Sequence, residues 1–258
     1  MNQMGLQWRY TNRDDKALVP SHSRRARDVL MDSLAFLQSL SLFQGLSDDA
    51  LRYLAAGSRQ RTFRVGETVF YQGEPGSTCH IVARGRLRVY VMGEDGRELS
   101  VRLFGQGEIV GEMALFEDLP RSASVEALEQ TRTLELDRDV LLGCLRRSPA
   151  LALELLRSLS ARLRHANEEA EGLASLTVPE RLMRRLRQLA SWYGAPSPDG
   201  VRVTLPMNQQ ELATLVGASR ESVNRALMRL RRQGKVRIEG GWIVLLDGEL
   251  AYSSPRAS

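Results

Sequence analysis

The sequence predicts an α+β protein in which a β jelly roll is followed by one long helix and a C-terminal winged helix-turn-helix. Short apolar runs broken by glycines occupy residues 61–136, and such runs are typical of the strands of a small barrel or jelly roll. Apolar residues at alternating steps of four and three occupy 149–173, as in a long amphipathic helix. Two capped helices joined through a glycine occupy 207–237.

A chain of 258 residues, 43% of them hydrophobic, can bury a substantial core and divide into two domains. Helical spacing from Leu30 to Leu46 precedes the strands, and Ser47 is placed to cap a short helix. The changes in composition and in the spacing of apolar residues along the chain predict four parts. They are a polar N-terminal extension at 1–26, a β-roll domain at 27–148, a long helix and hinge at 149–176, and a winged helix-turn-helix domain at 177–258.

Residues 207–237 have the local signals of a helix-turn-helix. Asn208 can cap the first helix while Glu211 reaches back to it, which is a capping box. Gly217 permits the tight turn, and Ser219 caps the second helix. This succession predicts that the second helix enters the major groove of DNA.

Three charged residues remain exposed near the start of that second helix: Arg220, Glu221 and Arg225. Arginine can pair bidentately with guanine, and a carboxylate can accept a hydrogen bond from cytosine, so the predicted target is rich in G·C pairs. A solvated helix face with local ion pairs would show the same charges. The two caps and the glycine turn at helix-turn-helix spacing favour DNA recognition.

The basic excess lies in the last third of the chain. Residues 178–258 contain 13 Arg and Lys against 7 Asp and Glu, whereas residues 1–177 contain 23 against 24. A polyanionic partner for the last third is the simplest account, and it would make binding steeply salt-dependent. Residues 236–246, with Gly240-Gly241 as their turn, are predicted to form a hairpin that contacts the DNA backbone.

The sequence also argues against several classes of protein. It has no run of about 18 apolar residues and no signal-peptide pattern, which predicts a cytoplasmic protein without a membrane span. Cys79 and Cys144 form no Cys-x-x-Cys pair, and the three histidines are widely spaced, so no metal site is expected. We find no P-loop and no nucleophile elbow, and therefore expect no enzyme activity.

Residues 111–123 contain the charged and polar side chains of the predicted roll that are best suited to binding a ligand. Gly111 permits close backbone approach, Glu112 follows at once, and Arg121 and Ser122 come nine and ten residues later across a short loop. A carboxylate suits a ribose hydroxyl, while a guanidinium with backbone N–H groups suits a phosphate. Alternatively, Glu112 and Arg121 pair with each other across the turn. Chemistry alone leaves both readings open.

The pattern Gly-Glu-Met-Ala-Leu-(x)5-Arg-Ser-Ala resembles the phosphate-binding cassette of cyclic-nucleotide-binding domains. Joined to a C-terminal helix-turn-helix, it resembles the bacterial family of the cyclic-AMP receptor protein and the fumarate-nitrate regulator, in its cyclic-AMP-receptor branch. The resemblance extends from about Leu42 to Leu245. The N-terminal cysteine cluster of the iron-sulfur branch is missing.

This resemblance implies a cyclic nucleotide as the allosteric effector, with cyclic AMP as the first candidate. Glu112 would bind the ribose 2′-hydroxyl and Arg121 the cyclic phosphate, with help from the two residues after it. A Thr-Ser pair that contacts adenine in the family is replaced here by Ala166 and Asn167, although Asn167 can still bond to an adenine edge. The implied nucleotide site comprises Gly111, Glu112, Met113, Ala114, Arg121, Ser122, Ala123, Arg162 and Asn167.

The resemblance likewise implies a DNA site, a palindrome with TGTGA-like halves about one helical turn apart. RNA polymerase is a further partner that it implies. The implied DNA contacts come from Gln210, Ser219, Arg220, Glu221, Ser222 and Arg225.

The long helix predicts a parallel homodimer. Its apolar residues form a heptad seam that a second copy would bury, although the same stripe could pack only on its own roll. A palindrome that needs two recognition helices favours the dimer. The hinge is expected at 176–178, where Thr177 and Glu180 can form a capping box. The predicted seam includes Leu156, Leu159, Leu163, Ala166 and Ala170.

Together these features predict a transcription regulator in which ligand binding rearranges the dimer helix and hinge and so sets the spacing of the recognition helices. The main alternative is a regulator of the same fold that needs no nucleotide or senses another effector. An enzyme-regulatory nucleotide-binding module is a second alternative, and the helix-turn-helix argues against it.

Overall fold

The computed structural model describes residues 24–246 except 94–95, 97 and 206. Most of the predicted N-terminal extension, 1–26, lies outside the described residues. Its last three residues begin helix α1 (Arg24–Ser39), so the predicted boundary after residue 26 falls inside a helix.

The predicted helix from Leu30 to Leu46 is wrong at its C-terminal end. Helix α1 stops at Ser39, and a 3-10 turn follows at Ser41–Phe43. Leu40 between them is extended, with φ −90° and ψ 131°, and this break places the ring of Phe43 in the core. Ser47 caps helix α2 (Asp48–Gly57) as predicted, accepting a hydrogen bond from the N–H of Ala50.

The β roll consists of two four-stranded antiparallel sheets, which confirms the predicted jelly-roll class. One sheet has the order β1-β8-β3-β6 and the other β2-β7-β4-β5. The strands are β1 (Ser58–Phe63), β2 (Thr68–Phe70), β3 (Thr78–Arg84), β4 (Leu87–Met92), β5 (Glu98–Phe104), β6 (Ile109–Val110), β7 (Ser124–Ala127) and β8 (Thr131–Asp137).

Three helices follow the roll or interrupt it. Helix α3 (Glu112–Glu117) occupies the first half of the segment that the sequence predicted as a short loop. Helix α4 (Arg138–Arg147) leads into the long helix α5 (Pro149–Ser175), which ends two residues beyond the predicted 149–173. Ser148 caps α5 and Pro149 is its first residue, where a missing N–H costs no helical hydrogen bond.

The C-terminal domain begins after a break at Leu176–Thr177. The predicted capping box of Thr177 and Glu180 is present at the start of helix α6 (Val178–Tyr193). The helix-turn-helix consists of α7 (Gln209–Val216) and α8 (Arg220–Arg232), with Gly217 in the left-handed region between them. The structure thus confirms the predicted helix-turn-helix and its caps.

A four-stranded sheet of order β11-β12-β10-β9 completes this domain. The predicted wing is confirmed as strands β11 (Val236–Glu239) and β12 (Trp242–Leu245), joined by Gly240 and Gly241 at φ 55° and 86°. Positive φ at both central residues is what a tight two-residue hairpin requires. The hairpin of β9 (Gly194–Ser197) and β10 (Gly200–Val203) was not predicted, because its glycines and prolines resemble a loop.

The apolar cores follow this division, with one exception. Two clusters fill the roll and its flanking helices, and a third fills the C-terminal domain. Leu103 of β5 belongs to the third cluster, and Leu128, between β7 and β8, packs against it, so the roll contributes to the core of the C-terminal domain. In the part of the chain that the structure describes, no helix combines the length and apolar character needed to cross a bilayer.

His80 of β3 is a buried titratable group inside the roll. Its Nδ1 lies 3.1 Å from Thr133 Oγ1, and its ring packs against Phe63 and Phe70. Burial, together with the nearby charges of Arg121 and Arg61, lowers the pKa of His80 to about 4 from 6.5. The imidazole is therefore neutral in the folded protein above about pH 4.

We predict that the free energy of unfolding falls as pH drops from 6.5 to 4. In this window the unfolded chain binds a proton at His80 that the folded chain excludes, and the full effect is roughly 3 kcal/mol. Urea unfolding of wild type and His80→Gln across the window measures it, since the variant should lose most of this slope. An identical slope in the two proteins would contradict the assignment to His80.

Candidate functional site

A pocket with an empty volume of about 400 Å³ lies between the β roll and α5. Its wall is apolar, and its polar groups are confined to the segment after β6 and to one arginine of α5. All but one of the residues predicted for the nucleotide site line it. The lining consists of Phe70, Val89, Phe104, Val110, Gly111, Glu112, Met113, Ala114, Arg121, Ser122, Ala123, Val125 and Arg162.

Gly111 shapes the floor of the pocket. It precedes α3 and has a backbone in the left-handed region, at φ 85°, where residues other than glycine are strained. A Cβ atom at this position would lie 2.7 Å from Nη1 of Arg121 and 3.1 Å from the ring of Phe70. Glycine therefore lets the Arg121 guanidinium approach the backbone directly.

Arg121 is a buried cation whose fixed partners are neutral. It is 6% exposed; Nη1 donates to the carbonyl oxygen of Gly111 at 2.8 Å, and Nη2 lies 3.4 Å from Thr78 Oγ1. The guanidinium lies over the Phe70 ring at 4.0 Å, and Nε is buried without a hydrogen-bond partner. Burial lowers the pKa of Arg121. No carboxylate within the described ranges forms an ion pair with it, so this geometry favours an anion in the pocket.

Glu112 is bonded to the long helix rather than to Arg121. Its carboxylate, in a residue 1% exposed, accepts a hydrogen bond of 2.5 Å from Nη1 of Arg162 on α5. Arg162 also donates to the carbonyl oxygen of Ile109 at 2.7 Å, and its buried Nε has no partner. The alternative of a Glu112–Arg121 pair is therefore not what the structure shows. The pocket lining contains two guanidinium groups, those of Arg121 and Arg162, and one carboxylate, that of Glu112, which leaves one net positive charge at the pocket.

The two residues of α5 that were predicted to bind the nucleotide differ in their position relative to the pocket. Arg162 lines the pocket, whereas Asn167 is exposed on α5 and does not. Its role as a base contact stays a prediction. Sequence reasoning missed the apolar wall, because alternation along a strand shows which residues share a face but not which face borders a cavity. The missed wall residues are Phe70, Val89, Phe104, Val110 and Val125.

The helix-turn-helix presents the predicted DNA-binding residues to solvent. Ser219 Oγ accepts from the N–H of Ser222 at 3.2 Å, and Arg225 donates to Ser222 Oγ at 3.0 Å, so the first turn of α8 is ordered by its own side chains. Gln210, Arg220 and Glu221 are exposed. Arg220 and Arg225 make no ion pair within the described chain, which speaks against a face of local ion pairs. The buried side of α8 consists of Val223, Ala226, Leu227 and Leu230.

The described residues contain no group of three His, Cys, Asp or Glu side chains placed to hold a metal ion. Cys79 and Cys144 are both buried as free thiols. Burial raises the pKa of Cys144 to about 11, so this thiol is protonated at neutral pH.

Both halves of the chain match known families. Residues 60–148 match the cyclic nucleotide-binding domain, and residues 180–250 match the Crp-like helix-turn-helix domain. Together with the pocket and the exposed α8 face, they define a DNA-binding transcription regulator with a cyclic nucleotide-binding domain. The chain belongs to the CRP/FNR family, named after the cyclic AMP receptor protein and the fumarate-nitrate regulator.

Sequence and structure similarity to individual proteins supports this family assignment. The chain is 35% identical over 213 residues to the CRP-like cAMP-activated global transcriptional regulator of Mycobacterium tuberculosis, with 83% of this chain and 95% of that protein covered. It is 34% identical to the cyclic AMP receptor protein of Thermus thermophilus, with 81% and 94% covered. A solved structure of the c-di-GMP responsive global regulator CLP of Xanthomonas campestris matches with a TM-score of 0.70 at 31% identity, covering 78% of this chain and 100% of that one.

We predict that Arg220→Ala relaxes base preference at one position of each half-site. Removing a guanidinium that pairs with a base edge costs about 1–3 kcal/mol of discrimination, whereas removing a phosphate contact weakens all sequences alike. Selection of bound duplexes from a random library, with wild type and variant, measures the preference. Arg231→Ala, the same charge change in the last turn of α8, is the matched control. An unchanged consensus for Arg220→Ala would overturn the assignment of this residue to base recognition.

Proposed function

We propose that this protein is a dimeric, non-enzymatic transcription regulator of the bacterial cytoplasm whose DNA affinity is set by a cyclic nucleotide. Cyclic AMP is the first candidate for this nucleotide. The observation that supports the proposal most is the buried Arg121 guanidinium, which forms no ion pair with a carboxylate of the described residues and lies in the same pocket as the carboxylate of Glu112. A DNA site with two TGTGA-like halves and a contact with RNA polymerase complete the proposal.

The pocket's charges fit a cyclic phosphodiester. One net positive charge matches the single negative charge of a cyclic phosphate, and the unpartnered Nε of Arg121 is a donor available to it. Ser122 and Ala123, at the pocket wall, would add phosphate contacts. Glu112 would accept a hydrogen bond from the ribose 2′-hydroxyl. Its carboxylate would then bond to the ligand either together with Arg162 or in place of Arg162. The apolar wall accommodates the base.

The exposed face of α5 supports the dimer. Leu156 and Leu163 are 60% and 63% exposed, and Ala166 and Ala170 beside them are also exposed, while Leu159 is half-buried. The helix buries other residues against its own chain, namely Leu151, Leu155 and Gly172. A stripe that packed only on its own roll would be buried here. The heptad seam is instead available to a second copy.

The route from ligand to DNA begins at Arg162. Its bonds to Glu112 and to the Ile109 carbonyl tie α5 to the pocket, so a ligand that rearranges them biases the position of α5. The helix then leads to the break at Leu176–Thr177 and to α6. In a dimer, two such movements would set the separation of the two recognition helices.

A second candidate is the same regulator with another effector. Ala166 lacks the hydroxyl that contacts adenine in cyclic-AMP receptors, and Asn167 does not line the pocket. The solved structure that matches with a TM-score of 0.70 is that of a c-di-GMP responsive regulator. A cyclic dinucleotide is therefore the alternative ligand, and a regulator that needs no ligand is the remaining one.

We expect cyclic AMP to tighten specific DNA binding by the full-length protein. Fluorescence anisotropy on a labelled duplex with two TGTGA halves, at fixed salt, measures the dissociation constant without ligand, with cyclic AMP and with c-di-GMP, against scrambled DNA. Tightening by about tenfold or more with cyclic AMP corresponds to an ordinary allosteric coupling. A response to c-di-GMP alone favours the second candidate, and equal specific binding in all conditions contradicts control by either nucleotide.

Arg121→Ala should abolish the ligand response while leaving salt-dependent non-specific DNA binding unchanged, because it removes the pocket's unpaired cation and nothing in the C-terminal domain. Arg132→Ala, at an exposed arginine of β8, changes the charge equally and should respond like wild type. Titration calorimetry with the nucleotide gives the same comparison without DNA. Full ligand affinity in Arg121→Ala would overturn the assignment of this site.

Leu163→Glu should weaken the dimer by about a hundredfold or more, because two carboxylates would be placed in the apolar seam. Sedimentation equilibrium over a range of concentrations measures it. Ala161→Glu, two positions away on an exposed face outside the predicted seam, is the matched control and should dimerise normally. A dimer of wild-type stability in Leu163→Glu would place the interface elsewhere.

A further inference from the structure

Three strands of the roll form one wall of the pocket, and their opposite face meets the C-terminal domain. Successive side chains of a strand point to opposite faces. Val89 of β4, Phe104 of β5 and Val125 of β7 line the pocket. Each has a neighbour on the other face, and these neighbours are paired in register, with Arg88 opposite both Leu103 and Glu126. We call this three-stranded wall the shared sheet.

Apolar contacts attach the C-terminal domain to the shared sheet. Leu103 is buried in the cluster that forms the core of the C-terminal domain. Leu99, also on β5, lies close enough to the turn of the helix-turn-helix that a Cβ on Gly217 would be 3.4 Å from its Cδ1. The sheet thus contacts both the core of the domain and its DNA-binding motif.

A buried polar network joins the same two parts. Arg88, 6% exposed, donates through Nε to Glu126 at 2.7 Å, through Nη2 to Glu98 at 2.6 Å and through Nη1 to Ser100 Oγ at 3.1 Å. Ser100 Oγ lies 2.9 Å from Oγ1 of Thr214, and Nη1 of Arg88 lies 3.5 Å from the same atom. Thr214 is in the last turn of α7, the first helix of the helix-turn-helix; it is buried, and its hydroxyl also donates to the carbonyl oxygen of Glu211 at 2.8 Å.

Such a network defines one docked position. A buried guanidinium and its carboxylates offset the cost of leaving water only while their hydrogen bonds keep good geometry. A small shift of α7 along the sheet would separate Ser100 Oγ from Thr214 Oγ1, and loss of a hydrogen bond between two buried hydroxyl groups is costly even though Thr214 keeps its bond to the Glu211 carbonyl and Ser100 its bond from Arg88. The docked position of α7 therefore depends on where β4 and β5 place Arg88 and Ser100.

We propose that the shared sheet is a second connection between the pocket and the DNA-binding motif, within one subunit and separate from α5. A ligand that packs on Val89, Phe104 and Val125 displaces the strands whose other face holds Arg88, Leu103 and Ser100. Thr214 transmits this displacement to α7. The ligand arm of this proposal rests on the proposed function, whereas the coupling between the two faces of the sheet is a property of the chain alone.

A double-mutant cycle tests the coupling without any ligand. The full-length protein is prepared as Val89→Ala, on the pocket face, as Thr214→Val, which keeps the shape of the side chain but removes the hydroxyl, and as both together. The readout is the dissociation constant for a duplex selected by the wild-type protein. Independent sites would give effects that multiply to within about twofold. We expect the double variant to depart from that product by about threefold or more.

Matched variants separate this coupling from general damage. Thr214→Ser keeps a hydroxyl and should restore most of the coupling. Ser191→Ala, at an exposed hydroxyl of α6 that donates only to the carbonyl of Gln188, should multiply with Val89→Ala. Ser100→Ala removes the other end of the contact and replaces Thr214→Val if thermal unfolding shows that variant to be misfolded. Effects that multiply for both Thr214→Val and Ser100→Ala would overturn the proposal.

The ligand arm uses cyclic AMP and c-di-GMP as probes. The proposal predicts that the ratio of DNA dissociation constants without and with the effective nucleotide falls by about fivefold in Thr214→Val, while nucleotide affinity without DNA stays at the wild-type value. An unchanged ratio would overturn transmission through the sheet. If wild-type protein responds to neither nucleotide, the proposed effector fails, and the ligand-free cycle still decides whether the sheet couples its two faces.

Discussion

Arg121 is a cation held inside an apolar roll, and many features of the site accommodate it. A buried guanidinium needs acceptors, a flat apolar surface and freedom from side-chain collisions. The Gly111 carbonyl and Thr78 supply acceptors, and Phe70 supplies the surface. Gly111 and Gly76 leave the space, since a Cβ on Gly76 would lie 3.1 Å from Nε. The same cation helps to keep His80 neutral, so the charge of one residue constrains the roll well beyond the pocket.

The arginines of this chain illustrate how partners decide the role of a buried charge. Arg88 has two carboxylate partners and joins two domains. Arg185 of α6 donates to Glu169 of α5 and to the Leu215 carbonyl of α7, and so links the long helix to the helix-turn-helix. Among the described residues, the hydrogen-bond partners of Arg121 are neutral, namely the Gly111 carbonyl and Thr78. The first two arrangements include their counter-ions, whereas in the third no described carboxylate is paired with the buried charge, which is the arrangement that the proposed anion site requires.

The sequence predicts what local signals control. The caps at Ser47, Asn208 and Ser219 satisfy backbone groups within three residues, so the helices that they begin could be located without tertiary information. The partner of Glu112 could not, because it comes from a helix 50 positions later and Arg121 was an equally plausible choice by charge. The β9–β10 hairpin was missed for a similar reason. Its strands are short and rich in glycine and proline, and pairing with β12 rather than composition makes them a sheet.

Leu103 has a consequence for the modularity of this fold. Proteins that combine a sensor with a DNA-binding domain invite domain exchange, in which one sensor is fused to another protein's DNA-binding domain at the hinge. Here the core of the DNA-binding domain includes a side chain from the fifth strand of the sensor. A chimera joined at Leu176 would place whatever residue the new sensor has at this position into that core. Successful exchange therefore requires matching β5 as well as the hinge, and the unit that is transplanted is not continuous in sequence.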